Sequence, residues 1–252
     1  MATIIRNNIL IFYTALLFSF CSFTVFAQKD STQKTSKWSL GIVASPNVGY
    51  GYAISLTGQA NDWTKEYARM GYTAGLNMNY RLNKIFSFEM GVQYSQIRFS
   101  TKSDFTEILQ WIEIPIANPV TYSNVVSSSS WLDIPIKANI FLGKGKLKYI
   151  GSLGIINSFF LNGKGVAQYT YNDGTVSTAR FNYSSSYNNS YIYIEYATVS
   201  SGIVYQASKH ISLRAEPVFR CAFGGDYNDL KATYPYSRPF SLGLMFGVYY
   251  HF

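Results

Sequence analysis

Cysteine, histidine and charged side chains are all scarce in this sequence of 252 residues, which has two Cys, two His and 13% charged residues. Cys21 lies in an apolar N-terminal segment, so the rest of the chain holds only Cys221. A single cysteine forms no intramolecular disulfide and no cysteine-based metal site. The sequence has no CxxC pair, no His-rich cluster and no glycine-rich phosphate loop. We therefore predict no metal, no cofactor and no catalytic residues.

Long apolar runs are also absent, with one exception near the N-terminus. The run from Ile9 to Phe26 follows Arg6 and leads into Ala27, so that small residues stand where signal peptidase recognises its substrates. This pattern predicts a cleavable signal peptide over residues 1–27. A retained membrane-anchor helix is the alternative, because an apolar run of this length nearly spans a bilayer.

What the chain does have is many aromatic residues, with 22 Tyr and 18 Phe, and strict alternation. The clearest example is the C-terminal stretch 239–252, in which small or polar residues alternate with large apolar ones. The apolar face consists of Phe240, Leu242, Leu244, Phe246, Val248, Tyr250 and Phe252. Such a stretch predicts a strand with lipid on one side and a narrow lumen on the other.

The end of this strand resembles the C-terminal signal by which bacterial outer-membrane barrels are recognised for assembly. The residues that carry this resemblance are Phe246, Val248, Tyr250 and the terminal Phe252. The resemblance implies the barrel assembly machinery as a partner during biogenesis.

The same alternation predicts eight strands in the chain, joined by connections of two kinds. The predicted strands are 37–45, 71–82, 85–99, 130–142, 147–160, 191–207, 211–223 and 239–252. Short turns and long polar loops alternate between them, and 161–189 is one of the long loops. The facing of the strand 147–160 stays open, because both of its faces carry Gly and apolar residues. In an up-and-down barrel, all short turns lie at one rim, so both chain ends are expected at the short-turn, periplasmic rim.

These observations predict an all-β protein, an eight-stranded antiparallel up-and-down transmembrane β-barrel behind a signal peptide. The predicted domains are 1–27 as signal peptide, 28–36 as a short periplasmic segment and 37–252 as the outer-membrane barrel. A soluble lipocalin-like barrel is the alternative, but it would turn its larger apolar residues inward around a cavity. The faces rich in Gly, Ser, Asn and Gln would line such a cavity poorly.

Three segments resemble the small PorT-like outer-membrane β-barrel family of Bacteroidetes-type bacteria. They are GYTAGLNMNYRLNKIFSFEMGVQYS at 71–95, WSLGIVASPN at 38–47 and LDIPIKANIFLGKGKLKYIGSLG at 132–154. The resemblance implies a bacterial outer-membrane location. It also implies a second functional hypothesis, an accessory role in a secretion or transport assembly, because one family member is tied to a secretion system.

Several charged residues fall on the predicted lumen face of the strands. They are Arg81, Glu89, Asp133, Lys137, Arg214 and Glu216. An eight-stranded barrel is only wide enough for its own side chains, so these charges must pair with one another. We predict an internal network of ion pairs and hydrogen bonds that fills the lumen. A proton or ion path is the alternative.

Other functions have weaker support. His210 and His251 both map to the short-turn rim, away from the serines of the long loops, so a Ser/His/acid hydrolase is not expected. The net charge of +8 follows the turns, and no nucleic-acid recognition motif accompanies it. Turn lysines such as Lys144 and Lys209 either face anionic lipid headgroups or are simply solvated.

The predicted function is therefore that of a non-enzymatic, monomeric outer-membrane barrel. It would contribute to envelope structure or bind other molecules through its extracellular loops. One such loop is FNYSSSYNNSYIY at 181–193, which has the composition of a recognition loop but equally that of a variable rim. The expected partners are outer-membrane lipids, with another envelope protein as a further candidate.

Overall fold

The computed structural model describes residues 37–54, 64–106, 118–183, 193–225 and 236–252, and nearly all of them are in strands. The strands are β1 Trp38–Ile54, β2 Thr64–Arg81, β3 Phe86–Asp104, β4 Val120–Leu142, β5 Leu147–Tyr171, β6 Val176–Tyr183, β7 Tyr193–Gln206, β8 Ile211–Gly225 and β9 Tyr236–His251. The predicted signal peptide and the segment 28–36 lie outside the described residues. Among the described residues, none belongs to a helix that could cross a membrane.

The strands form one closed antiparallel ring. Following hydrogen-bonded neighbours, the order is β4-β3-β2-β1-β9-β8-β7-β5, and a β4–β5 pairing closes the circle. The last strand pairs with the first from Ser39 opposite His251 to Ile54 opposite Tyr236. A closed ring leaves no strand edge unpaired in lipid. The predicted up-and-down barrel is thereby confirmed.

Within the described part of the chain, nine strands occupy eight positions in the ring. Both β6 and β7 pair with the same edge of β5, since β7 pairs with residues 147–159 and β6 with residues 163–170. These two strands therefore act as one wall of the barrel that is interrupted by the segment 184–192.

The prediction of a long loop over 161–189 was wrong. β5 continues to Tyr171, turns through residues 172–175 with Gly174 at φ 79°, and returns as β6. The strands β3 and β4 likewise extend into segments that were predicted to be loops. These extensions have no continuous face of large apolar residues. Backbone hydrogen bonds between neighbouring strands hold them together. Periodicity of apolar residues therefore does not reveal them.

Three irregularities in strand pairing lie near the upper ends of the apolar faces of their strands, and we call them the bulge belt. They fall between Arg69 and Tyr72 in β2, at Leu161 in β5, and at Phe223 in β8, where its partner strand passes from Glu195 to Tyr196. A β-bulge adds one residue to one strand and shifts which residues face inward. Apart from Asn157, the buried residues of β5 are even-numbered below Leu161 and odd-numbered above it. This switch explains why the sequence of this strand has no single facing.

Below the belt, the two faces of the wall have opposite character. The outward residues are large, apolar and exposed, as in Ile42 at 68%, Leu76 at 51% and Val248 at 53% exposure. The inward residues are small or polar, and the largest fully buried side chains are Glu89 and Glu216. This distribution is the reverse of that in a water-soluble protein, and it is the distribution of a barrel that faces lipid.

Candidate functional site

Four charged side chains meet in the middle of the lumen, and we call them the central network. Glu89 on β3 lies opposite Lys137 on β4, and Lys137 Nζ is 2.7 Å from Glu89 Oε1. Arg214 on β8 reaches across the lumen, so that its Nη1 contacts the other carboxylate oxygen of Glu89. The Nε of Arg214 contacts Glu216 Oε1 on the same strand. Two acids and two bases are thus brought together, and their formal charges cancel.

Polar neighbours add hydrogen bonds to both carboxylates. Asn77 Nδ2 donates to Glu89 Oε1 at 2.8 Å, and Ser200 Oγ donates to Glu216 Oε2 at 2.7 Å. Arg214 also donates to Asn139 and Ser152. Buried charges are tolerated only when pairing and hydrogen bonds replace their hydration, and both conditions hold here.

A second ion pair lies between the central network and the bulge belt, and we call it the upper pair. Arg220 Nη1 donates to Asp133 Oδ2 at 2.8 Å, and Ser158 Oγ donates to Asp133 Oδ1 at 2.7 Å. Ser95 donates a further hydrogen bond to Asp133. Sequence reasoning missed Arg220, although it shares the even-numbered, lumen-facing parity of Arg214 on the same strand.

Arg81 lies apart from both groups. It is the last residue of β2, is half-buried, and its guanidinium lies 5.4 Å from the centre of the Phe141 ring. Within the described residues it makes no ion pair. The prediction had placed Arg81 inside the charge network. At the end of its strand the side chain reaches the rim instead, where water can solvate its charge.

Apolar side chains close the lumen above the upper pair. The cluster consists of Trp131, Ile156, Ile194, Tyr196 and Ala222, with Ile97 and Phe160 packed against it. The Trp131 and Phe160 rings meet edge to face at 5.3 Å, and Trp131 Nε1 donates to Ser129 Oγ at 2.9 Å. Two smaller clusters fill gaps lower down: Val43, Val218, Met245 and Tyr249, and Phe141, Ile150 and Val204. Among the described residues, apolar clusters thus lie inside the lumen above and below the charged groups.

Both histidines lie at the rim of the short turns. His251 Nε2 is 2.8 Å from Ser212 Oγ, and His210 Nδ1 is 3.0 Å from the backbone oxygen of His251. The contact with Ser212 was not foreseen from the sequence. Among the described residues, no carboxylate hydrogen-bonds to either histidine, and no group of three His, Cys, Asp or Glu side chains is placed to hold a metal ion. The described part of this rim thus shows no acid in the position of a Ser/His/acid triad.

The turn between β5 and β6 is organised by one carboxylate. Asp173 accepts hydrogen bonds from the Thr175 hydroxyl at 2.6 Å and the Thr175 backbone N–H at 2.9 Å. Asn118, which precedes β4, donates to the same side chain at 2.9 Å. These bonds, chiefly the one from the Thr175 hydroxyl, hold the pKa of Asp173 below its usual value. The turn is thereby attached to the neighbouring strand.

One comparison with known proteins, a match to a protein family, agrees with this architecture. The family model described as outer membrane protein beta-barrel domain matches residues 26–252. No curated protein matches the chain. Among solved structures, Neisserial surface protein A has 15% identity and a TM-score of 0.41 over 87% of this chain and 100% of its own. OprG from Pseudomonas aeruginosa has 11% identity and a TM-score of 0.43 over 88% and 99%. Ail of Yersinia pestis has 12% identity and a TM-score of 0.33 over 86% and 99%.

Proposed function

The chain belongs to the outer membrane protein beta-barrel domain family, and from this premise we propose that it is a non-enzymatic barrel with a closed lumen, which acts through its surfaces. The family places it in the bacterial outer membrane. The observation that carries the proposal is the central network, whose charges cancel and are enclosed between apolar clusters. The protein then contributes to envelope structure or binds partners at its outer end.

A closed lumen follows from the energetics of the network. Opening a water path past Glu89 and Arg214 requires their ion pair to separate, and separating a buried pair is costly even when water enters. The Trp131 cluster adds an apolar barrier on the same path. Both features support a barrel through which no solute passes.

We propose that the chain ends face the periplasm and that the long connections face outward. Three of the four short connections, 82–85, 143–146 and 207–210, lie at the same rim as the C-terminus, as in other outer-membrane barrels, and the fourth, 172–175, ends the β5–β6 hairpin at the opposite end. The extended strands β3, β4, β5 and β6 then protrude beyond the outer leaflet. Their Ser, Asn and Tyr side chains supply adaptable hydrogen bonding and rigid contact area, which favours interaction with other molecules.

Conductance across a planar bilayer tests the closed lumen. We expect the refolded full-length barrel to insert without stable channel openings at potentials that open porins. Stable openings of the wild-type protein would overturn the proposal. Lipid A deacylase and phospholipase assays on the same preparation test the absence of enzymatic activity, and sustained turnover would contradict it.

An accessory role in a secretion or transport assembly, which the PorT-like resemblance implies, stays a prediction. The match to the broader barrel family leaves that narrower membership open. Crosslinking in native outer membranes followed by purification tests it. Recovery with a large envelope complex would favour this role, and recovery of the monomer alone would count against it.

A further inference from the structure

Three exposed cations form a row across neighbouring strands, and we call it the outer basic row. Arg69 on β2 lies directly opposite Arg98 on β3, and Arg98 lies opposite Ser128 on β4. Ser128 in turn lies opposite Lys164 on β5. Neighbouring strands are about 4.8 Å apart, and directly opposed residues share a face of the sheet. The three charges therefore fall within about 15 Å along one line.

The row carries uncompensated positive charge in the described part of the chain. All three side chains are exposed, and none of them forms an ion pair with a described residue. Among the described residues, Arg69 Nε donates to the hydroxyl of Ser100, at 3.3 Å. Arg69 and Arg98 are like charges directly opposite each other, and such pairs destabilise a sheet. An anionic ligand would relieve this repulsion.

The row lies where the apolar surface of the barrel ends. On β2 the outward apolar face runs from Tyr80 to Met70, which is 68% exposed, and the bulge between Arg69 and Tyr72 places the next residue, Arg69, opposite Arg98. Ten residues at about 3.3 Å each, tilted by roughly 40°, rise about 25 Å, which is the height of the apolar band in outer-membrane barrels. On β5, Lys164 lies three residues beyond Leu161, which is 47% exposed. The row thus starts at the end of the apolar face of β2, at the depth where lipid headgroups begin.

We propose that the outer basic row binds the phosphate groups of lipid headgroups at this end of the barrel. Under the proposed orientation, these belong to the phosphorylated glycolipid of the outer leaflet, so the inference rests on the proposed function. Phosphate fits the row because guanidinium groups bind it through two parallel hydrogen bonds, and two of the three cations are arginines. A lipid phosphate also fits because its acyl chains can lie along the apolar band directly below.

Lipid retention by the purified full-length barrel in neutral detergent tests the proposal. The probes are bis-phosphorylated lipid A and the same lipid after enzymatic removal of both phosphates. The variant Arg69→Gln/Arg98→Gln/Lys164→Gln removes the row. The matched control Lys144→Gln/Lys146→Gln/Lys209→Gln removes the same charge from the short turns at the opposite rim, where all three lysines are exposed. Heat-modifiable gel migration verifies that each variant is folded.

We expect the row variant to retain the phosphorylated probe about tenfold less than wild type, whereas the control stays within about twofold. The wild-type protein should also retain the phosphorylated probe better than the dephosphorylated one, and less of it as salt increases. Equal loss in the row and control variants would overturn the proposal, and so would equal retention of both probes. Complete displacement of the lipid by millimolar inorganic phosphate would also overturn it, because the site would then bind the free ion. If the triple variant does not fold, Arg98→Gln alone should still lower retention.

Two further readouts separate this inference from the function on which it rests. Conductance of the same preparation reports on the lumen, which the row does not enter. The second readout uses the variant Asp173→Cys in a Cys221→Ser background. Surface labelling of this cysteine in intact cells reports whether the end of the barrel with the β5–β6 turn faces outward. Suppose that the cysteine is labelled and the lumen is closed, but lipid retention does not depend on the phosphates. That result would overturn the proposed ligand of the outer basic row and leave the proposed function standing.

Discussion

The wall below the bulge belt and the sheet above it are made from the same strands, but different forces hold them. Below the belt, apolar side chains face outward and paired charges fill the interior. Above it, β5 and β6 form a hairpin rich in Thr, Asn and Tyr residues, joined by a backbone ladder and a turn anchored through Asp173. Large apolar residues alternate with small or polar ones in the first region, but not in the second.

The comparison indicates that the stability of the protein is concentrated in the lower region. A charge that loses its partner in the lumen has no water to replace it, whereas a charge on the protruding sheet is already solvated. Substitutions of the same chemical kind should therefore have very different effects in the two regions.

The largest effect is expected for Arg214→Ala. It leaves Glu89 with one cation and Glu216 with none, and breaking a buried ion network in this way costs about 3–5 kcal/mol. Urea unfolding of the barrel in lipid vesicles, followed by tryptophan fluorescence, measures the change in the free energy of unfolding. Arg180→Ala, at an exposed position of β6, is the matched control and should change it by less than about 0.5 kcal/mol. Similar values for the two variants would refute the contrast between the regions.

The upper pair should show a smaller effect than the central network. Asp133→Ala leaves Arg220 without its carboxylate, but the Arg220 side chain is 13% exposed and can move toward solvent. We expect the free energy of unfolding to fall by about 1–3 kcal/mol. A double-mutant cycle with Arg220→Ala isolates the interaction, and a coupling energy near zero would show that the two residues do not stabilise each other.

The lower region is also the one that sequence analysis predicts well. The terminal strand, the hairpin of β2 and β3 and the closure of β9 on β1 all follow from alternation, because each residue in the lipid-facing wall must suit either lipid or the lumen. The same parity argument would have added Arg220 to the lumen residues. Arg81 is the exception, since parity gives the face of a residue but not its height in the barrel.

The upper region was predicted poorly for a physical reason. Residues 162–183 carry no run of large apolar residues on one face, so the pattern does not distinguish the strands from a loop. The only local signal is Asp173-Gly174, a turn dipeptide that is typical of hairpins. The bulge at Leu161 could not be predicted from the sequence either, because an extra residue is recognised only once the register of the neighbouring strand is known.

A moderate, local effect is expected for Gly174→Val. The residue has φ 79°, where a β-branched side chain is strained by about 1–2 kcal/mol. Because the hairpin protrudes from the barrel, hydrogen exchange of the β5–β6 ladder should accelerate about tenfold or more while the urea midpoint of the barrel stays unchanged. Gly174→Asn is the control, since Asn tolerates this conformation better. A shifted midpoint would mean that the hairpin and the barrel unfold together.

The smallest effect is a pH dependence confined to the same turn. Hydrogen bonds from Thr175 and Asn118 lower the pKa of Asp173 in the folded protein. A carboxyl whose pKa is depressed on folding stabilises the fold above its unfolded pKa, and this contribution is lost as pH falls through the folded pKa. Hydrogen exchange at residues 171–176, corrected for its intrinsic pH dependence, should therefore show weaker protection as the pH is lowered from 6 toward about 3. Asp173→Asn keeps an acceptor but does not titrate, so its protection should be flat over the same range. A wild-type turn with equally flat protection would show that the carboxylate does not hold it.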